Sequence, residues 1–187
     1  VAPFNLRSKF TTLVNREIKN AKAGKKAEII LKLNNLVDED VIEKLYAASK
    51  AGVKIRLIVR GINSLVPQLA GFSENIEAIS IVDKLLEHTR IFSFYNEGKP
   101  DVYIGSADLM TRNLDHRIEV VLPILDEKIK KQLLQIMELQ WHDTMKARLF
   151  NATQSNILKT KTPKEKALRS QDAIYDFWKD FGVKKKR

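Results

Sequence analysis

Two apolar runs, Ala27-Glu-Ile-Ile-Leu-Lys-Leu-Asn34 and Val53-Lys-Ile-Arg-Leu-Ile-Val-Arg60, stand on either side of a segment with helical periodicity, and this arrangement leaves few folds open. Between them Asp38 can cap a helix whose residues Val41, Leu45, Tyr46 and Ala48 recur on one face until Gly52 ends it. The second run alternates and then turns wholly apolar, as a strand buried on both faces does. A strand, helix, strand unit of this length pairs its strands in parallel through a right-handed crossover. The chain is therefore read as an α/β domain.

The remaining segments extend that sheet. Upstream, Leu6, Phe10, Leu13, Val14 and Ile18 recur at helical spacing from Asn5 to Ala23, and Gly24 stops the helix. Gly61 to Ser73 reads as loop, Ile76 to Val82 as a third strand, and Asp83 to Glu87 as one helical turn. Arg90 to Tyr95 and Val102 to Gly105 read as strands joined by hairpin chemistry at Asn96 to Pro100. Ile118 to Pro123 completes a mixed sheet of about six strands flanked by helices on both faces. Asp126 opens a long helix through Ile129, Leu133, Ile136, Met137, Gln140 and Met145, and a further helix is predicted from Lys164 to Trp178. Residues 1–150 are expected to form the domain core. Residues 151–187 are expected to form a connection, polar from Asn151 to Thr162, and a basic C-terminal helix that packs on the core or extends from it.

Composition removes several classes of function. At 187 residues, 44% hydrophobic and 30% charged, the chain has the profile of one soluble globular domain. It has no cysteine, which excludes disulfides and thiolate metal sites. No apolar run approaches a membrane span, and Val1-Ala-Pro-Phe-Asn-Leu-Arg7 lacks both a signal-peptide core and an initiator methionine, so a domain taken from a longer protein is expected. The net charge of +10 invites a nucleic-acid reading, but Lys159 to Arg187 alone holds ten Lys and Arg against four Asp and Glu, supplying +6 of it. A solvated basic helix and frayed end account for that tail, and nucleic acid is not an expected partner.

Of the three histidines, His142 follows Trp141 on the long helix and reads as a surface residue, while His116 precedes Arg117 at a strand start. His88 lies at the mouth of an apolar strand. A phosphate ester or anhydride spreads negative charge over several oxygens, so its site calls for planar guanidinium groups, hydroxyl or amide donors, and a group that exchanges a proton near neutral pH. Arg60, Arg90 and Arg117 occupy the starts or ends of predicted strands, where side chains from a twisted sheet can share one crevice with His88. Taken singly each arginine is a solvated charge, and spacing leaves both readings open.

His88-Thr-Arg90, followed by Gly105-Ser-Ala-Asp108, resembles a degenerate phospholipase-D-type signature, in which His-x-Lys precedes Gly-Ser-x-Asn. Here arginine replaces the lysine and aspartate the asparagine. Over nearly the whole chain, Leu31-Lys-Leu-Asn-Asn-Leu36, Leu45-Tyr-Ala-Ala-Ser49, Ile58-Val-Arg-Gly-Ile62, Ala78-Ile-Ser-Ile-Val-Asp83, Glu87-His-Thr-Arg90, Tyr103-Ile-Gly-Ser-Ala-Asp108, Met110-Thr-Arg-Asn-Leu-Asp115, Arg117-Ile-Glu-Val120 and Ala173-Ile-Tyr-Asp176 resemble, in order, the C-terminal domain of bacterial type-1 polyphosphate kinases.

The resemblance implies a phospholipase-D-like fold, the second of two such domains. It also implies an enzyme that reversibly moves the terminal phosphoryl group of ATP onto polyphosphate through a phosphohistidine lying outside this chain. By motif, His88 corresponds to the family's second active-site histidine, and Arg60 and Arg117 to arginines that bind nucleotide phosphates. Lys32, Asn34, Arg90, Ser106, Asp108 and Asn113 are secondary candidates, for which holding the site in shape is as good a reading as direct contact. ATP or ADP is the implied substrate. Magnesium is expected in the full-length enzyme but not bound by this chain alone. The implied partners are polyphosphate, the remaining domains of the same polypeptide, and further copies of the full-length protein. The implied location is the cytoplasm, with peripheral association at the inner face of the membrane a further expectation. The competing readings are a non-catalytic polyanion-binding module, in which the tail from Lys184 to Arg187 adds grip, and a phosphodiesterase. The latter would need a second His-x-Lys unit that the sequence lacks.

Overall fold

A computed structural model describes residues 1–153, 155–161, 163 and 166–184, with side chains described as far as Lys179. Asp38 caps the crossover helix as its position requires, its Oδ1 accepting from the Val41 amide at 3.1 Å. That helix, α2 (Glu39–Lys50), follows α1 (Leu6–Lys22) and links β1 (Glu28–Leu33) to β2 (Lys54–Val59). The two strands pair in parallel with Ile29 opposite Ile55 and Leu33 opposite Val59. β3 (Ile76–Ile81) adds a third parallel strand beside β2. On the other side β4 (Arg90–Phe94), β5 (Asp101–Gly105) and β6 (Val121–Ile124) are antiparallel to their neighbours. β7 (Ala147–Phe150) closes the far edge against β3, so that the sheet runs β6-β5-β4-β1-β2-β3-β7.

Strand alternation sorts the core onto two faces. Ile29, Leu31 and Leu33 of β1 join Phe92 and Phe94 of β4 under α1 and α2, where Phe10 meets both phenylalanines edge-on at about 6 Å. Ile30 points the other way, with Ile91, Val102, Met137 and the partly buried Leu133 and Leu134 of α3 (Glu127–Trp141). The C-terminal helix, α4 (Ser170–Lys184), packs along α3. Arg7 fastens the helical layer: its guanidinium reaches Asp38 at 2.7 Å and Asp115 at 2.5 Å, joining α1, the cap of α2 and the segment after β5.

The structure departs from expectation at five places. The helical turn expected at 83–87 does not form; residues 82–89 are an irregular loop, because Gln171 takes both the Leu85 amide and its carbonyl. The strand expected from Ile118, β6, begins at Val121, since Glu119 exchanges backbone bonds with Ala2 instead. α3 stops at Trp141 rather than Met145, because the buried Asp143 carboxylate collects the amides of Met145, Lys146 and Ala147 into a turn. That turn launches β7, a seventh strand, and the stretch expected as an open connection folds back on it: the Leu149 amide donates to Ile157 and the Lys159 amide to Ala147. The final helix begins at Ser170. Residues 166–169 are not helical, and Gln154, Thr162, Lys164, Glu165 and Lys185–Arg187 of the expected connection, helix and tail lie outside the described residues.

Candidate active site

The parallel strands β1 and β2 end on one edge of the sheet at Asn34 and Arg60. There the antiparallel β4 begins at Arg90 and β5 ends at Gly105. Ligand sites in open α/β sheets lie at this edge. A cleft of about 640 Å³ opens on it, lined by Asn34, Arg60, His88, Arg90, Ser106, Asp108, Asn113 and Arg117, and also by Asn35, Arg112 and Glu119, which sequence reasoning had not singled out as candidates.

Asp108 is the buried anchor of one wall. Its carboxylate accepts a fork from Arg90, with Nε and Nη2 both at 3.1 Å, the Asn34 amide at 2.8 Å and Asn35 Nδ2 at 3.1 Å. Burial pushes the Asp108 carboxyl up, but these donors outweigh it and hold it below the ordinary aspartate range. An aspartate so fully engaged orients cations and cannot itself receive a phosphate. Arg90 carries that order onward: its Nη1 lies 2.9 Å from His88 Nδ1 and donates to the His88 carbonyl at 2.8 Å. A guanidinium can only donate, so Nδ1 accepts and the neutral ring carries its proton on Nε2.

Glu119 anchors the opposite wall. It is 8% exposed and accepts from Ser106 Oγ and, at 2.7 Å, from Asn113 Nδ2, while Ser106 Oγ accepts in turn from the Val120 amide at 3.2 Å. Ser106 and Asn113 are thereby committed to holding the wall. Gly105 makes that wall possible, since a Cβ there would lie 2.5 Å from the Val120 carbonyl and 2.7 Å from Val121 Cγ2. Gly61, next to Arg60, serves similarly against Asn35 Oδ1 at 2.7 Å.

Arg60, Arg112 and Arg117 make no side-chain hydrogen bond or ion pair with any described residue. Both cleft carboxylates are taken up by internal donors, so these three guanidinium groups leave the cleft with uncompensated positive charge suited to a phosphorylated anion. Arg112 sits on a π-helical turn, Arg112–His116, which a search for ordinary helix or strand periods does not detect. Glu119 was visible only as part of a strand-like run. Asn35 follows Asn34 beyond the end of β1, where no period applies.

Lys32 does not reach the cleft. Alternation places it on the Ile30 face of β1, where it is buried and pairs with Glu87 at 2.8 Å. His116 is exposed on the π-helical turn, and His142 ends α3 with Nδ1 2.9 Å from the Glu138 carbonyl. Among the described residues no group of three or more His, Cys, Asp or Glu side chains could hold a metal ion. With Asp108 and Glu119 engaged by protein donors, the cleft residues do not fit a magnesium site.

Comparison with known proteins agrees with this architecture. Residues 1–171 match the family model "Polyphosphate kinase C-terminal domain 2". A polyphosphate kinase of Vibrio vulnificus is 54% identical over 180 residues, 96% of this chain and 26% of that protein. The crystal structure of polyphosphate kinase from Porphyromonas gingivalis superposes with a TM-score of 0.91 at 45% identity, covering 94% of this chain and 27% of that one. A phospholipase D family member, Nuc from Salmonella typhimurium, shares the fold at a TM-score of 0.52 and 15% identity over 74% of this chain and 91% of its own. The chain thus spans about a quarter of the length of the curated relatives it matches. On a family model covering 171 residues and relatives more than half identical, the chain belongs to the polyphosphate kinase family as its C-terminal domain.

Proposed function

We propose that this chain supplies the nucleotide- and phosphate-binding part of a polyphosphate kinase site, in a protein that reversibly transfers the terminal phosphoryl group of ATP to polyphosphate through a phosphohistidine on a preceding domain. The observation that carries this reading is His88, held with Nδ1 against Arg90 in a cleft that also holds Arg60, Arg112 and Arg117. In phosphoryl transfer, charge spreads over the equatorial oxygens and builds on the leaving oxygen, and catalysis is largely positioning and charge stabilisation. Arg60 and Arg117 are the groups for those phosphoryl oxygens. His88 Nε2–H is the hydrogen-bond donor for the charge that builds on the oxygen of the departing ADP. Asn34, Arg90, Ser106, Asp108 and Asn113 act by keeping this frame in shape. Magnesium, which would neutralise nucleotide phosphates, would be held by residues outside this chain, and no step assigned here runs through it.

The proposed partners are ATP, polyphosphate, the other domains of the polypeptide and further copies of it. No helix among the described residues is long and apolar enough to cross a membrane. The proposed setting is the cytoplasm, with contact at the inner face of the cell membrane as a further expectation. Supplying radiolabelled ATP to the full-length protein and to the 187-residue chain tests the reading. The full-length protein should build polyphosphate and the chain alone should not. Synthesis by the chain at the full-length rate, or none by the full-length protein, would contradict it.

A further inference from the structure

The loop that carries His88, residues 82–89, has no regular secondary structure and gains little from apolar packing: Val82, Leu85 and Leu86 are 69%, 63% and 78% exposed. It is held instead by polar contacts from residues outside the cleft. Asp83 receives a two-pronged contact from Arg169 at 2.8 and 2.7 Å. Gln171, in the first turn of α4, accepts from the Leu85 amide at 2.9 Å and donates to the Leu85 carbonyl at 2.8 Å and to Glu87 Oε1 at 3.1 Å. Glu87 Oε2 then gathers Gln140 of α3 and the buried Lys32 ammonium of β1.

We infer that Gln171 and Glu87 are positioning residues for His88, and that the start of α4 is therefore part of the working site although it does not line the cleft. The inference rests on His88 acting as proposed above. Glu87 is the residue before His88, so fixing its carboxylate from three elements fixes the backbone from which the imidazole projects. Arg90 fixes the ring from the other side. Catalytic groups lose rate steeply when displaced, and a loop without packed side chains depends on such contacts for its placement. Lys32 finds its role here, outside the cleft: a buried ammonium needs a partner, and its partner orders the active-site loop.

Replacing Glu87 would strand the Lys32 charge and risks unfolding, so Gln171→Met, which keeps length and removes the three hydrogen bonds, is the informative variant. In the full-length enzyme we expect kcat to fall on the order of 10-fold with the KM for ATP within about twofold, and hydrogen exchange to speed up in 82–89 while β1 to β3 stay as in wild type. Arg169→Lys, which keeps a cation near Asp83 without the fork, should act in the same direction more weakly. Wild-type kcat in Gln171→Met would overturn the inference. So would faster exchange across the whole sheet with kcat and KM changed together, the mark of general loosening. Measuring His88→Ala alongside separates the two levels: a crippled His88→Ala with a normal Gln171→Met sinks this inference alone, whereas a normal His88→Ala sinks the reading of the site.

Discussion

Arg90 Nη1 lies 2.9 Å from His88 Nδ1 while the other edge of the same guanidinium forks onto Asp108. One arginine thus converts a buried carboxylate into the orientation and tautomer of an imidazole at the cleft. Removing it strands Asp108, which is 5% exposed, with only the Asn34 and Asn35 donors. We expect Arg90→Ala to lower unfolding free energy by about 3 kcal/mol, as read by chemical denaturation of the 187-residue chain. Arg90→Lys should recover part of the stability but not the fork.

Acid should weaken the fold through the same carboxylates. Asp108 and Asp38 both have folded pKa values below the ordinary one, in each case because arginine and amide donors outweigh burial. Their contribution is complete above the unfolded value of about 3.9 and is lost as pH falls through the lower folded values, because the unfolded chain takes up protons first. Denaturation midpoints measured from pH 6 down to pH 2 should fall most steeply below about pH 4. In Arg7→Met, which removes the partner of Asp38 and Asp115, that slope should flatten and stability near neutrality should drop by about 2 kcal/mol.

Gly105→Ala should destabilise the site wall by about 1–3 kcal/mol, since the new Cβ would fall 2.5 Å from the Val120 carbonyl, a backbone atom with little freedom to move. Thermal unfolding of the variant would show this. Alanine at Gly52, where nothing lies within 4 Å, meets no such clash; its cost would come only from the left-handed backbone, φ +94°.

Arg60→Gln and Arg117→Gln separate binding from stability. Neither side chain has a partner among the described residues, so each change should shift stability by less than about 0.5 kcal/mol. Each should weaken ATP binding by the full-length enzyme roughly 10-fold, the scale of one charge-assisted hydrogen bond. Calorimetric titration with ATP and a melting curve on the same sample measure both.

The crossover unit was legible because its punctuation is local: Asp38 caps, Gly52 stops, and the flanking runs are too apolar to lie anywhere but inside. Spacing left the gathering of Arg60, His88, Arg90 and Arg117 open; it arises because parallel β1 and β2 and reversed β4 and β5 turn their ends to one edge, which Arg117 joins from the segment before β6. What stayed hidden depends on distant partners. The loop at 82–89 is shaped by Gln171 and Arg169, which lie more than eighty positions away in sequence. β7 is four residues launched by the Asp143 turn, too short to show a period. Lys32 was read as a secondary site candidate, and neither its burial on the Ile30 face nor its partner Glu87 was legible in the sequence.

The most direct test of the site is the rate of polyphosphate synthesis by the full-length enzyme carrying His88→Ala. If His88 serves the reacting phosphates, the rate should fall by about 10²- to 10³-fold, with the melting temperature unchanged because the His88 side chain is exposed and its partner Arg90 keeps Asp108. A rate within about twofold of wild type would contradict the assignment of this cleft as the phosphoryl-transfer site.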